Sequence, residues 1–228
     1  MKMLTLQGQR LAGLLPAFGR AESGIAATEF ALILPMFMAF TMTGIELVNR
    51  TLAQMQLNYI AASVADNAGR VRVGIDELDI EEVMIGARES GSRIKLGEKG
   101  RIILSSVEPN GLAAPNSGQF IRWQRCFGAK PVNSTFGNVN DGATDSSFAV
   151  GFGPTGRKIS AVNGSAVMLI ELKYDYVPIT PIFNNAFGND TWTYSFAFTV
   201  RERATHTMTN QSSIADSAKR LCTRFSST

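Results

Sequence analysis

Residues Arg20 to Arg50 read RAESGIAATEFALILPMFMAFTMTGIELVNR, and the reading of the whole chain depends on them. Between Ile25 and Val48 the ionisable side chains are Glu29, near the start, and Glu46, near the end. The 24 residues from Ile25 to Val48 form, as a helix, a rod about 36 Å long, enough to cross a hydrocarbon core of about 30 Å with some tilt. The stretch therefore predicts a membrane span. Pro35 removes one backbone hydrogen bond from it, which transmembrane helices tolerate, and a kink is expected there. Glu29 is the anomaly. A carboxylate at the edge of a span is costly, and such groups are retained when they serve a partner of opposite charge.

Gly24 followed by IAATEF, with Glu29 fifth after the glycine and a long apolar run behind it, resembles the cleavage region of type IV prepilins. The form GIAATEFALILP, with its basic leader, most resembles the TadE/TadG-like proteins of tight-adherence (Tad) type IVb pilus systems. That resemblance implies a minor pilin or pseudopilin whose leader is cut by a prepilin peptidase between Gly24 and Ile25. It also implies subunit assembly through Glu29 and Phe30, with the Glu29 carboxylate neutralising the ammonium of Ile25 on a neighbouring subunit. Electrostatics supports such a pairing independently, because an ammonium and a carboxylate in an apolar bundle are each expensive alone. Two other readings stay open. One is an uncleaved signal anchor with Glu29 near the headgroups. The other is a secretory signal peptide, although the apolar run exceeds a usual signal core and lacks an A-x-A-like site.

Orientation follows from the flanks of the span. Lys2, Arg10 and Arg20, opposed by Glu22, place the amino terminus in the cytoplasm, while Arg50 weakens the contrast. The expectation is a single-pass protein of the bacterial inner membrane with its carboxy-terminal domain periplasmic, and incorporation into an extracellular pilus stays open. In that oxidising compartment Cys126 and Cys222 read most simply as a disulfide, worth roughly 4 to 5 kcal/mol for so long a loop, with two buried thiols as the alternative. The chain of 228 residues and net charge +3 leaves room for one domain outside the membrane. Its Lys and Arg are scattered rather than interleaved with aromatics, so nucleic acid is not an expected partner.

The expected division is a leader over 1–24, a transmembrane helix over 25–48, an amphipathic extension over 49–70 and a periplasmic α+β domain over 71–228. Leu52, Met55, Tyr59, Ala62 and Asp66 recur at spacings of three and four, predicting that the helix continues with these residues on one face and stops near Gly69. LDIEEVMIGARESG predicts a second helix capped by Asp79, with Glu82 three residues on, an apolar face at Val83, Met84 and Ala87, and an end at Gly91. Beyond Lys99 the period changes to two. RIILSSVE (Arg101–Glu108), QFIRWQRC (Gln119–Cys126), AVMLIELKYDYV (Ala166–Val177) and TWTYSFAFTVRER (Thr191–Arg203) predict an antiparallel sheet of about four strands with one apolar face covered by the helix. WQRC and VMLIELKYDYVP are also similar to TadE-like periplasmic domains, with an ordinary pair of amphipathic strands as the alternative. Phe127–Gly164 reads as a long polar connection, and SSIADSAKRLCTRF as a short C-terminal helix. The fold expected is pilin-like α+β, a long amino-terminal helix followed by an antiparallel sheet domain.

Catalytic constellations are not found. The single histidine, His206, has no nucleophile elbow to serve, and with Cys126 and Cys222 it is too few ligands for a zinc site. GFGPTG (Gly151–Gly156) lacks the Lys-Ser or Lys-Thr pair of a phosphate loop and reads as a turn. Asp76 with Glu77, and Glu81 with Glu82, fall at helix starts, where the macrodipole accounts for them. The expectation is therefore no enzyme, no cofactor and no metal. It is a pilus protein whose partners are other Tad pilins, the assembly machinery, the prepilin peptidase and the inner membrane. An uncleaved membrane-anchored assembly factor is the alternative, and a membrane-tethered enzyme or sugar-binding module the remote one.

Overall fold

The computed structural model describes residues 23–188 and 190–227. The chain divides between Val48 and Asn49 into two compact units. Helix α1 spans Ser23–Arg70 and runs through Pro35 as one element. Over residues 24–48 nearly every side chain is exposed, and the apolar ones face outward all round the helix rather than along one stripe. A helix that is apolar on every side and exposed is built to be surrounded by lipid or by other helices.

The second unit is built on a four-stranded antiparallel sheet. After the short β1 (Ile75–Asp76) come α2 (Glu77–Ser90) and α3 (Leu96–Lys99), then strands β2 (Gly100–Pro109), β3 (Gln119–Phe127) and β4 (Val167–Asp175). The helical turn α4 (Asn184–Phe187) precedes β5 (Thr191–Thr199), and β6 (Met208–Thr209) pairs in parallel with β1. The sheet order is β3-β2-β4-β5, so β2 and β4 are central. All ten residues of β2 except Pro109 are buried, as expected of a strand covered on both faces. Along β4, Met168, Ile170, Leu172 and Tyr174 point to the core shared with α1 and α2, while Val167 and Leu169 point to a second, smaller core. This is the two-residue period of a strand dividing its side chains between two layers.

The sequence expected one apolar sheet face. The second is covered by the glycine-rich connection, where Phe136, Phe148, Phe152 and Ala161 pack on Val107, Ile121, Val167 and Leu169. That connection is held in place by polar side chains of the sheet. Gln119 donates to and accepts from the backbone of Ala161 at 3.2 and 2.8 Å, and Glu171 accepts from Ser134 Oγ and from Thr135 N.

The amphipathic half of α1 exists, but the face differs from the one expected. Ala53, Leu57, Ile60, Ala61, Val64, Ala65 and Ala68 are buried against the sheet, whereas Leu52, Met55 and Tyr59 are exposed. Both faces carry apolar residues at helical spacing. The alanine-rich one lets the helix backbone approach the sheet closely, and Leu57 and Ile60 add about 1.5–3 kcal/mol each on burial. The carboxy end is at Arg70, close to the expected Gly69. There the buried Arg203 donates to the carbonyls of Ala68 and Val71, taking acceptors the helix cannot fill itself.

Two further expectations are corrected. The cap of α2 is Asp76, not Asp79. Asp76 accepts from Leu78 N while Asp79, at the third helical position, reaches back to Asp76 N at 2.8 Å. Asp76 also accepts from Thr209 Oγ1 and Gln211 N, so one carboxylate caps the helix and ties down the segment after β6. The tail containing Cys222 forms turns instead of a helix. Its backbone is drawn onto β2 and β3, with Cys126 N donating to Arg220 O at 2.7 Å and Gly128 N to Ser226 O at 2.9 Å. A chain whose carbonyls are used by other elements cannot satisfy a helical ladder at the same time.

Candidate functional site

Gly24, Ile25, Glu29 and Phe30 lie on the first two turns of α1, and all are exposed. Ile25 and Glu29 are four residues apart and share a face. Thr28 Oγ1 donates to Ile25 O at 2.8 Å, Thr41 Oγ1 to Phe37 O and Thr43 Oγ1 to Ala39 O, so these hydroxyls are satisfied within the helix and need no water. Glu29 has no hydrogen bond or ion pair among the described residues, which leaves a carboxylate on an apolar surface. Glu46, the other carboxylate of the run, is buried. The leader residues that carry the orientation argument, Lys2, Arg10, Arg20 and Glu22, lie outside the described residues.

Outside the apolar run, Cys126 at the end of β3 and Cys222 in the tail are joined in a disulfide with their Cα atoms 4.8 Å apart. Arg101, fully buried on β2, donates to the carbonyls of Gly128, Cys222 and Arg224, each at 2.7 Å, and its guanidinium lies over the Phe225 ring. Burial pushes its pKa down to about 10, so it keeps its charge at neutral pH. In the WQRC stretch, Trp123 Nε1 donates to His206 O at 3.0 Å, and Arg125 makes a two-point pair with Glu77 at the start of α2. These contacts are structural. His206 is half-buried beside Gly164 O, and GFGPTG is a turn in which Phe152 and Ile159 exchange backbone hydrogen bonds. Among the described residues no group of three or more His, Cys, Asp or Glu is placed to hold a metal ion.

The amino-terminal helix is thus a surface in search of surroundings, with one carboxylate that has no partner among the described residues. Residues 24–66 match the family model described as TadE-like protein. The matched segment begins at Gly24 and ends within the buried part of α1. WQRC and VMLIELKYDYVP lie beyond it. Neither the search of curated proteins nor that of solved structures gave a match. The TadE-like segment suggests a Tad pilus-associated protein, and the one helix among the described residues that is long and apolar enough to cross a membrane suggests an anchor.

Two features on and beside the second half of α1 escaped sequence reasoning. The Leu52, Met55 and Tyr59 stripe reads as the covered face because large apolar residues at helical spacing usually are. The cations Arg93, Lys95 and Lys99 are close in sequence, but that they line one cavity with Asn49 and Ala53 of α1 is visible only in the fold.

Proposed function

We propose that the chain is a TadE-like minor pilin or pseudopilin of a Tad-type pilus. It would be anchored in the inner membrane by α1, carry its sheet domain on the periplasmic side, and assemble through the amino-terminal helix. The observation that carries this reading is the coincidence of the TadE-like match at residues 24–66 with a helix apolar on all sides on which Glu29 has no partner among the described residues. The Cys126–Cys222 disulfide supports an oxidising compartment for the domain. On this reading a prepilin peptidase cuts between Gly24 and Ile25, and Glu29 meets the freed ammonium of Ile25 on the next subunit with Phe30 packed beside it. The exposed stripe of Leu52, Met55 and Tyr59 extends the helix–helix surface beyond the membrane.

Glu29→Gln tests the assignment. An unpaired Ile25 ammonium in an apolar bundle costs roughly 3–5 kcal/mol, so co-purification with other pilins from detergent should fall sharply. Membrane insertion should be unchanged or better, because an amide is cheaper to insert than a carboxylate. Intact mass from cells containing the peptidase should show loss of Met1 to Gly24. Normal co-assembly of the Glu29→Gln chain after normal cleavage would exclude the pilin contact and favour an anchored assembly factor.

A further inference from the structure

Beside the first turns of α1 that follow the apolar run, the second unit contains a cavity of about 590 Å³ lined by Asn49, Ala53, Tyr174, Tyr176, the loop residues Val177 and Ile179, and Arg93, Ile94, Lys95 and Lys99. We infer that this cavity holds the phosphate headgroup of an anionic phospholipid from the bilayer that α1 crosses. The inference rests on the membrane-anchor reading of α1 and is independent of the pilin contact at Glu29.

Three observations converge on a lipid. The first is depth. Asn49 and Ala53 follow the apolar run directly in sequence, by one and five residues after Val48, where a chain leaving a bilayer meets its polar layer. The second is charge. Arg93, Lys95 and Lys99 line the cavity and no carboxylate does. All three are exposed, and Arg93 and Lys95 take part in no ion pair or side-chain hydrogen bond among the described residues. Asp175, which acts on Lys99 through space, is bonded to Lys130, and Asp190 is bonded to Arg50. Glu98 is exposed on α3 and does not line the cavity. The third is the wall. Tyr176 stacks on Trp192 with ring centroids 4.7 Å apart, and the Arg50 guanidinium lies 5.2 Å from the Trp192 centroid. Both rings are buried in the core of this unit, so Tyr176 gives the cavity a rigid wall rather than a headgroup contact of its own. Val177, Ile179 and Ile182 expose 49%, 61% and 71% of their surface on the adjoining loop, an apolar edge suited to acyl chains.

The polar groups in the wall that could mislead are already used, since Asn49 Nδ2 donates to Tyr176 Oη and Tyr174 Oη donates to Ile94 O, both at 2.8 Å. What remains for a ligand is the set of exposed cations Arg93, Lys95 and Lys99. That arrangement fits a phosphate on a glycerol backbone whose tails continue into the membrane.

The test uses the full-length protein in lipid nanodiscs of phosphatidylcholine alone or mixed with phosphatidylglycerol, with retained lipids read by native mass spectrometry. The wild type should retain phosphatidylglycerol in preference to phosphatidylcholine. Each basic residue near an anionic surface is worth about fivefold, so Arg93→Gln with Lys95→Asn should lower that preference about thirtyfold. Asparagine is chosen because Lys95 has φ 53°, a left-handed conformation that asparagine tolerates. Arg157→Gln with Lys158→Gln, the same charge change at exposed positions elsewhere, should leave it intact. An equal loss in that control would overturn the site, as would equal retention of the two lipids by the wild type. Displacement of phosphatidylglycerol by excess inorganic phosphate would assign the cavity to free phosphate and overturn the lipid. Vesicle flotation after alkaline extraction separates the two levels of the argument. A chain that does not float refutes the anchor and the lipid site together, whereas a chain that floats without lipid preference refutes only the site.

Discussion

Replacing Arg101 with methionine should loosen the carboxy-terminal segment and destabilise the sheet domain. The Arg101 side chain is buried and makes three hydrogen bonds, each at 2.7 Å, to the carbonyls of Gly128, Cys222 and Arg224. Hydrogen bonds to a charged group contribute about 1.5–3 kcal/mol each. Two terms reduce the sum. Removing a buried cation that has no ion pair among the described residues recovers desolvation energy, and the freed carbonyls of the tail can reach water. The expected loss is therefore about 3–5 kcal/mol rather than the full sum of three charged bonds. The disulfide holds the same segment. Cys126 and Cys222 are 96 positions apart, so opening the bridge costs about 4–5 kcal/mol by loop entropy. Because both restraints act on one stretch of chain, their effects should not add. The double variant should fall short of the sum by about 1 kcal/mol or more. Urea unfolding of the full chain in detergent, followed by the fluorescence of Trp123 and Trp192, measures each corner of the cycle. A loss below about 0.5 kcal/mol for Arg101→Met, or strict additivity with Cys126→Ala and Cys222→Ala, would refute the view that Arg101 is the anchor of the tail.

Two further outcomes are expected. Partial burial opposes ionisation of Asp76, but hydrogen bonds from Thr209, Gln211, Ser212 and Leu78 outweigh it and hold its carboxyl well below the usual carboxylate range. A depressed carboxyl contributes stability that is complete above about pH 4 and lost as pH falls toward the folded value. Acid titration of unfolding should therefore show a loss below about pH 4 that Asp76→Asn shows less, with that variant less stable at neutral pH because asparagine still caps the helix but lacks the charge that strengthens the bonds from Thr209 and Gln211. Met55→Glu with Tyr59→Ser alters exposed positions, so thermal unfolding of the domain should move little while crosslinking to other pilins falls. A large drop in stability would place those residues in the core after all.

The sequence by itself determined the class of this protein. An uncharged run from Phe30 to Ile45 is poorly placed in water, and the alternating segments after Lys99 can satisfy their backbone only in a sheet, so the long apolar helix, α+β order and four strands follow from local pattern. The motif GIAATEF was equally local, and it is where the TadE-like match begins. Tertiary structure alone decided which side of α1 meets the sheet. Leu52, Met55 and Tyr59 and the set around Ala53, Leu57 and Ala61 have the same period, and the choice turns on how closely a helix backbone can approach a strand. It also decided that Asp76 rather than Asp79 caps α2, because the capping carboxylate gains further donors from residues more than a hundred positions away. The C-terminal helix expected from SSIADSAKRLCTRF gave way for the same reason: Arg101 and the neighbours of Cys126 claim its carbonyls, and no local propensity records a competitor that distant in the chain.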